Sequence, residues 1–218
     1  MNNLLLFVLI TIAYMTPACT KANTTETAGD RPRAGCTCGI ESLPDRPEGE
    51  LTTAEREDLL TLWSEEKLAF DVYTELGKTY PMRMFINISQ AESRHRAAVA
   101  ALAERYGLAQ ASEEALAQGK FCDQAVSKLY EQLVERGRSS RIEAMRVGCL
   151  IEELDIADLR AAASRTDRED LKAVYANLER GSGNHLRAFA RQLKRAGGTY
   201  TPQYLSEDEY SAIFAGKH

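Results

Sequence analysis

The sequence predicts an all-α fold, an up-down four-helix bundle with one long crossover that contains a short helix. Three observations lead there. From Leu51 onward apolar residues recur at alternating spacings of three and four, no segment shows the strict alternation of a half-buried strand, and start and stop signals bracket four long segments. With 44% hydrophobic and 27% charged residues among 218, the chain can bury one sizeable core.

The first helix opens at the capping box Thr52 to Glu55, runs to about Thr79 and is stopped by Pro81. Its inward stripe is predicted as Leu59, Trp63, Glu66, Phe70 and Tyr73. The second spans about Met84 to Tyr106 and ends at Gly107, with the stripe Ile88, Glu92, His95, Val99, Leu102 and Tyr106. A short helix near Asp123 to Glu135 follows in the crossover. The third long helix opens at Ser140, within "SRIE", and reaches about Ala163; its stripe is Met145, Gly148, Glu152, Asp155 and Leu159. Asp167 is the expected cap of the fourth, whose stripe is Leu171, Val174, Leu178, Ser182, His185, Phe189 and Leu193, ending at Gly197 and Gly198. The short first-to-second and third-to-fourth connections make antiparallel neighbours, and about 30 residues separate the second and third helices, enough for the long connection. "SEDE" starts a further short helix at Ser206.

Ahead of the bundle the chain changes character. Residues 1–18 carry no charge and include an apolar run from Leu4 to Ile10. That run is shorter than the about 20 residues of a membrane span and matches an export signal. "TPAC" resembles a lipoprotein box, which makes Cys19 the expected site of lipidation and the cell envelope the expected location; plain secretion, to the periplasm or beyond, is the alternative. The organisation expected is therefore a signal over 1–18, a tether over 19–50, the helical domain over 51–200 and an appendage over 201–218. Of the remaining cysteines, one of Cys36 and Cys38 is expected to pair with Cys122, and Cys149 to be a buried thiol. The net charge is −5 and the one basic cluster, "ERGRSSRIEAMR", is interleaved with glutamates, which excludes nucleic acid as a partner class.

Each long helix also places a metal-capable residue on its inward stripe: Glu66, then Glu92 and His95, then Glu152 and Asp155, then His185. Unpaired buried carboxylates cost several kcal/mol each, about enough to forbid such a set without cations to neutralise it. Residues three apart share a helix face, so Glu92 and His95 can serve one site. Helix phase leaves Glu65 as an alternative to Glu66 and Glu153 as an alternative to Glu152.

The segments "EEKLAFDVY", "NISQAESRH", "IEELDIADL" and "GSGNHLRAF" resemble the ferritin-like, rubrerythrin-type carboxylate-bridged di-metal bundle over about residues 51–205. They are most similar to the uncharacterised ferritin-like domain of unknown function family 2202. The resemblance implies metal ligation by Glu66, Glu92, His95, Glu152, Asp155 and His185. Tyr73, seven residues after Glu66, becomes the candidate catalytic residue. Iron or manganese, two ions or one, is the implied cofactor, dioxygen or peroxide the oxidant, and the electron donor is left unnamed; a homodimer is left open. The competing reading is a non-catalytic metal-binding or structural module on the envelope. The fourth helix departs from the family pattern: Ser182 stands where a glutamate is expected three residues before His185, so "GSG" reads as a remodelled ligand position, with Glu179 able to reach only if the glycines distort the helix.

Mass spectrometry of protein taken from its native membrane is expected to show loss of residues 1–18 and a lipid on Cys19. A mature chain beginning elsewhere without lipid contradicts the lipoprotein assignment.

Overall fold

The computed structural model describes residues 49–108 and 117–216, so the expectations for the signal, Cys19, Cys36 and Cys38 lie outside the described residues. Among the described residues there are six helices and no strand: α1 (Thr53–Thr79), α2 (Arg83–Arg105), α3 (Gln124–Arg138), α4 (Arg141–Ser164), α5 (Glu169–Arg195) and α6 (Glu207–Phe214). No helix among them is long and apolar enough to cross a membrane.

Local chemistry sets the boundaries. Thr52 and Glu55 form the expected reciprocal capping box, and Glu55 also accepts from the Thr166 hydroxyl at 2.6 Å, tying the start of α1 to the α4–α5 turn. Ser140 caps α4 by accepting from the Glu143 N–H. Gly107, at φ +67°, ends α2 in the left-handed region that a side chain resists. One expectation is corrected: α5 begins after Arg168 rather than at Asp167. Thr166 causes the shift, because its hydroxyl accepts the Arg168 N–H at 3.1 Å and Asp167 is left in solvent.

Packing is that of a bundle with one long crossover. α1 lies against α2 and α4, and α5 against α4 and α2. Contacts on α1 and α4 run in opposite order, Asp58 with Arg165 and Tyr73 with Glu152, so these helices are antiparallel. Those between α2 and α5 do the same, Arg105 with Asp170 and Glu92 with His185. Since α2 and α4 both oppose α1, the chain must travel the length of the bundle between them. α3 lies in that crossover, packed on α1 and α4.

The crossover is fastened to α1 by a buried ion pair. Lys67 and Asp71, one turn apart, pair with each other; Asp71 accepts the Gly119 N–H at 2.9 Å, and the Lys67 ammonium lies 4.4 Å from the centre of the Phe121 ring. At the other end of the chain Glu153 does similar work. It accepts the N–H groups of Gln203, Tyr204 and Leu205 and the hydroxyl of Tyr200, which seats the segment leading to α6.

The apolar core is in two parts. One holds Leu59, Leu62, Val99, Leu102, Leu159, Leu171 and Leu178; the other holds Val72, Leu76, Phe85, Ile88, Met145, Leu186 and Phe189. Between them the long helices contribute buried polar residues. In α1 the inward stripe is Leu59, Leu62, Glu66, Ala69, Tyr73 and Leu76, whereas Trp63 and Phe70 are half-buried at its flank.

Removing one partner of a buried pair strands the other charge. Asp71→Ala is therefore expected to cost about 3–5 kcal/mol in urea unfolding, and Lys67→Met with Asp71→Leu to recover most of it. Equal stability of Asp71→Ala and the unaltered protein would contradict the fastening role.

Candidate metal centre

The polar layer is built around Glu92. From α2 its carboxylate reaches between two imidazoles, with Oε2 2.8 Å from His95 Nδ1 and Oε1 2.7 Å from His185 Nδ1. Each histidine has a second carboxylate near the same nitrogen. Glu66 Oε2 is 3.3 Å from His95 Nδ1, and Glu152 Oε2 is 3.4 Å from His185 Nδ1. The rings themselves are stacked, 5.4 Å between centroids and 26° between planes. Two similar half-sites result, joined by one carboxylate.

These are hydrogen-bonding distances without hydrogen-bonding directions. Both Nδ1 atoms, both Glu92 oxygens, Glu66 Oε2 and Glu152 Oε2 are buried and aligned with no hydrogen-bond partner. Asp155 Oδ2, also buried, is in the same condition. Donors so placed share the space they face, as ligands of a common ion do: bonds near 2.1 Å leave adjacent ligand atoms about 3 Å apart. Atoms of Glu92, His95 and His185 lie within 4.8 Å of one another, a group able to hold a metal ion.

Electrostatics agree with the geometry. Burial pushes the Glu66 and Glu152 carboxyls up to about 7, with neighbouring carboxylates adding to it and the imidazoles opposing it. Asp155 is raised well above the usual range by burial and by Glu66, Glu152, Glu65 and Glu92. Burial also acts to raise Glu92, but His185 and His95 outweigh it and hold this carboxyl well below its ordinary value. The His185 imidazole goes to about 10: burial opposes the charge, and Glu152 and Glu92 overcome that opposition. His95 rises for the same reason, through Glu66 and Glu92. A cluster that holds excess negative charge away from water calls for cations.

Around the layer, Tyr73 donates to Glu152 Oε1 at 2.8 Å, which leaves Oε2 of the same carboxylate toward His185. Tyr73 is fully buried, its ring 5.0 Å from that of Phe189. Gly148 makes room for this arrangement, since a Cβ there would collide with the Phe189 ring.

The structure resolves both ambiguities of helix phase. Glu66 and Glu152 face the imidazoles, while Glu65 is paired with Asp158 and Glu153 holds the C-terminal segment. The "GSG" stretch has a packing role. α5 runs unbroken through it, Glu179 is engaged with Arg160 at 2.7 Å, and the Ser182 hydroxyl donates to the Leu178 carbonyl at 3.3 Å. Gly181 is the residue that the site requires: a Cβ there would lie 2.6 Å from His95 Nε2. The glycine lets the ring sit against α5 with Nδ1 turned to the carboxylates. Its mid-helix position was the signal, but the partner lies on another helix.

The chain as a whole is similar to known proteins. Residues 55–217 match the family model described as an uncharacterized protein domain, DUF2202. The chain is 43% identical over 176 residues to the uncharacterized protein MJ0754 of Methanocaldococcus jannaschii, covering 81% of this chain and 93% of that protein. The crystal structure of hypothetical protein MJ0754, from Methanococcus jannaschii, superposes with a TM-score of 0.75 at 41% identity, over 79% of this chain and 98% of that one.

Alanine in place of a helix-interior glycine ordinarily stabilises by about 1 kcal/mol. Gly181→Ala is expected to do the reverse, lowering stability by about 1–3 kcal/mol as His95 is pushed aside. Urea unfolding decides it, and a gain in stability would contradict the packing described.

Proposed function

The chain belongs to the DUF2202 family, and on that premise we propose that it is a ferritin-like metalloprotein whose buried layer binds two iron or manganese ions for redox chemistry with dioxygen or peroxide. The observation that carries the reading is Glu92, whose two oxygens face two different imidazole nitrogens, none of them hydrogen-bonded. His95 with Glu66 and His185 with Glu152 supply the two halves, and Asp155 completes the carboxylates beside them. The donors fit. Mixed imidazole and carboxylate sets suit iron and manganese, and four carboxylates with neutral imidazoles carry the charge that two divalent ions cancel.

Bound metals of this kind supply one-electron steps and sites for a small oxidant. The chain's own contribution is to position and to exclude water. Two apolar clusters flank the layer, so charges within it act through a low-dielectric medium. Tyr73 fixes the Glu152 carboxylate through its hydroxyl and keeps that proton, its own ionisation being strongly opposed by burial and by Glu152. The N-terminal signal and Cys19 support an envelope location for this activity, with a lipid as anchor and the electron donor supplied from outside the domain.

Protein reconstituted without oxygen in Fe²⁺ or Mn²⁺ is expected to retain stoichiometric metal and to consume added peroxide. Glu92→Ala and His95→Ala should abolish retention while far-UV circular dichroism keeps most of its helical signal. An unaltered protein that retains no metal would sink the proposal, and one that retains metal without consuming oxidant supports the non-catalytic alternative.

A further inference from the structure

The antiparallel arrangement gathers five helix termini at one end of the bundle: the C-termini of α1, α3 and α5 and the N-termini of α2 and α4. Contacts hold them together there. The Tyr80 hydroxyl donates to the Arg138 carbonyl at 2.9 Å, Arg146 Nε donates to the Thr199 carbonyl at 3.1 Å, and Gly198 packs against Ile142. α5 thereby ends between Arg83, the first residue of α2, and Arg141, the first of α4.

Positive charge accumulates at this end. Glu75 is shared by Lys78 and Arg138, and Glu143 by Arg136 and Arg146, so neither carboxylate cancels the cations around it. Five more, Arg83, Arg141, Arg191, Lys194 and Arg195, are exposed and make no ion pair among the described residues. Across residues 75–86, 131–146 and 190–200 the other carboxylates are Glu131 and Glu135, so nine basic side chains stand against four acidic ones in a chain whose net charge is −5. A second observation is apolar. Ile86 is 52% exposed one turn after Arg83, with Pro81 exposed and Met82 and Met84 half-buried in the same hairpin.

We propose that this end of the bundle docks on the headgroup layer of an anionic phospholipid membrane, with Ile86 entering the interface and Arg83, Arg141, Lys194 and Arg195 meeting phosphate groups. Basic side chains around an exposed aliphatic one match a surface that is anionic outside and apolar beneath. The layout of the chain favours a membrane over an acidic protein as the partner. Cys19, the expected lipid site, lies 30 residues before Gly49. At about 3.3 Å per residue that length reaches up to about 100 Å, more than twice the roughly 40 Å of α1, so an anchored domain can bring its basic end to the same membrane. Anchoring also raises the local concentration, which makes a weak attraction per charge sufficient. None of these residues belongs to the metal layer, and the docking stands or falls apart from it.

Vesicle co-sedimentation of the full chain with Cys19→Ser, which cannot be acylated, tests this. Vesicles of phosphatidylcholine alone are compared with an equal mixture of phosphatidylcholine and phosphatidylglycerol. Residues 1–18 carry no charged side chain and bind both alike, so the difference reads the basic end. The mixed vesicles should bind at least about tenfold more tightly, and high salt should abolish the difference. Lys194→Gln with Arg195→Gln should weaken binding to mixed vesicles at least about fivefold, and Ile86→Ser at least about threefold. Arg56→Gln with Lys172→Gln, an equal change of charge at the opposite end, should leave it within about twofold. Each variant should keep the helical signal and the metal content of the unaltered protein, whatever that content is, which separates this test from that of the metal centre. Equal binding to the two kinds of vesicle overturns the membrane as partner and leaves the basic end to an acidic protein. Equal losses from the two charge-matched pairs, or no loss from Ile86→Ser, overturn the docking face.

Discussion

The arrangement depends on one constraint: Glu92 is buried between two imidazoles, and neither of its oxygens completes a hydrogen bond. A carboxylate so placed costs free energy unless positive charge meets it. His95 and His185 meet part of that charge, but Glu66, Glu152 and Asp155 add carboxylates to the same layer. Much else in the domain keeps that layer intact. Apolar clusters close it from both ends, Tyr73 fixes the outer oxygen of Glu152, and Gly181 gives His95 the room to turn Nδ1 inward.

The bundle's connections serve the same end. Because α1 and α2 are joined tightly, and α4 and α5 likewise, each antiparallel pair brings one imidazole-bearing helix beside one carboxylate-bearing helix. The crossover then joins the pairs, with Lys67 and Asp71 holding its end to α1 next to Glu66. Glu153, adjacent to Glu152, anchors the C-terminal segment. Fastenings on the outside of α1 and α4 thus sit one residue from groups on the inside, which couples the rotation of these helices to the position of the layer.

Much of this was legible from sequence because it is local. Capping boxes at Thr52 and Ser206 and the stop at Gly107 depend on neighbours three or four residues away, and all appear as expected. The inward positions of Glu92, His95, Glu152 and His185 followed from helical periodicity. α1 was harder. Leu62 and Ala69 on one side and Trp63 and Phe70 on the other are both apolar, and only packing against α2 and α4 selects the first pair; Phe70 is instead covered by the Arg96 guanidinium, 5.7 Å away. What sequence could not supply are relations between helices. Gly181 answers to His95, Thr166 to Glu55, and Glu65 to Asp158.

Similarity to MJ0754 extends the fold to a second protein without assigning chemistry to either. The central claim is therefore about atoms in the layer, and anomalous diffraction from crystals reconstituted with iron or manganese tests it most directly. The account predicts two anomalous peaks, one within about 2.3 Å of His95 Nδ1 and the other within about 2.3 Å of His185 Nδ1, with a Glu92 oxygen bound to each. A layer without anomalous signal, in which both Nδ1 atoms hydrogen-bond to the carboxylates instead, would contradict it.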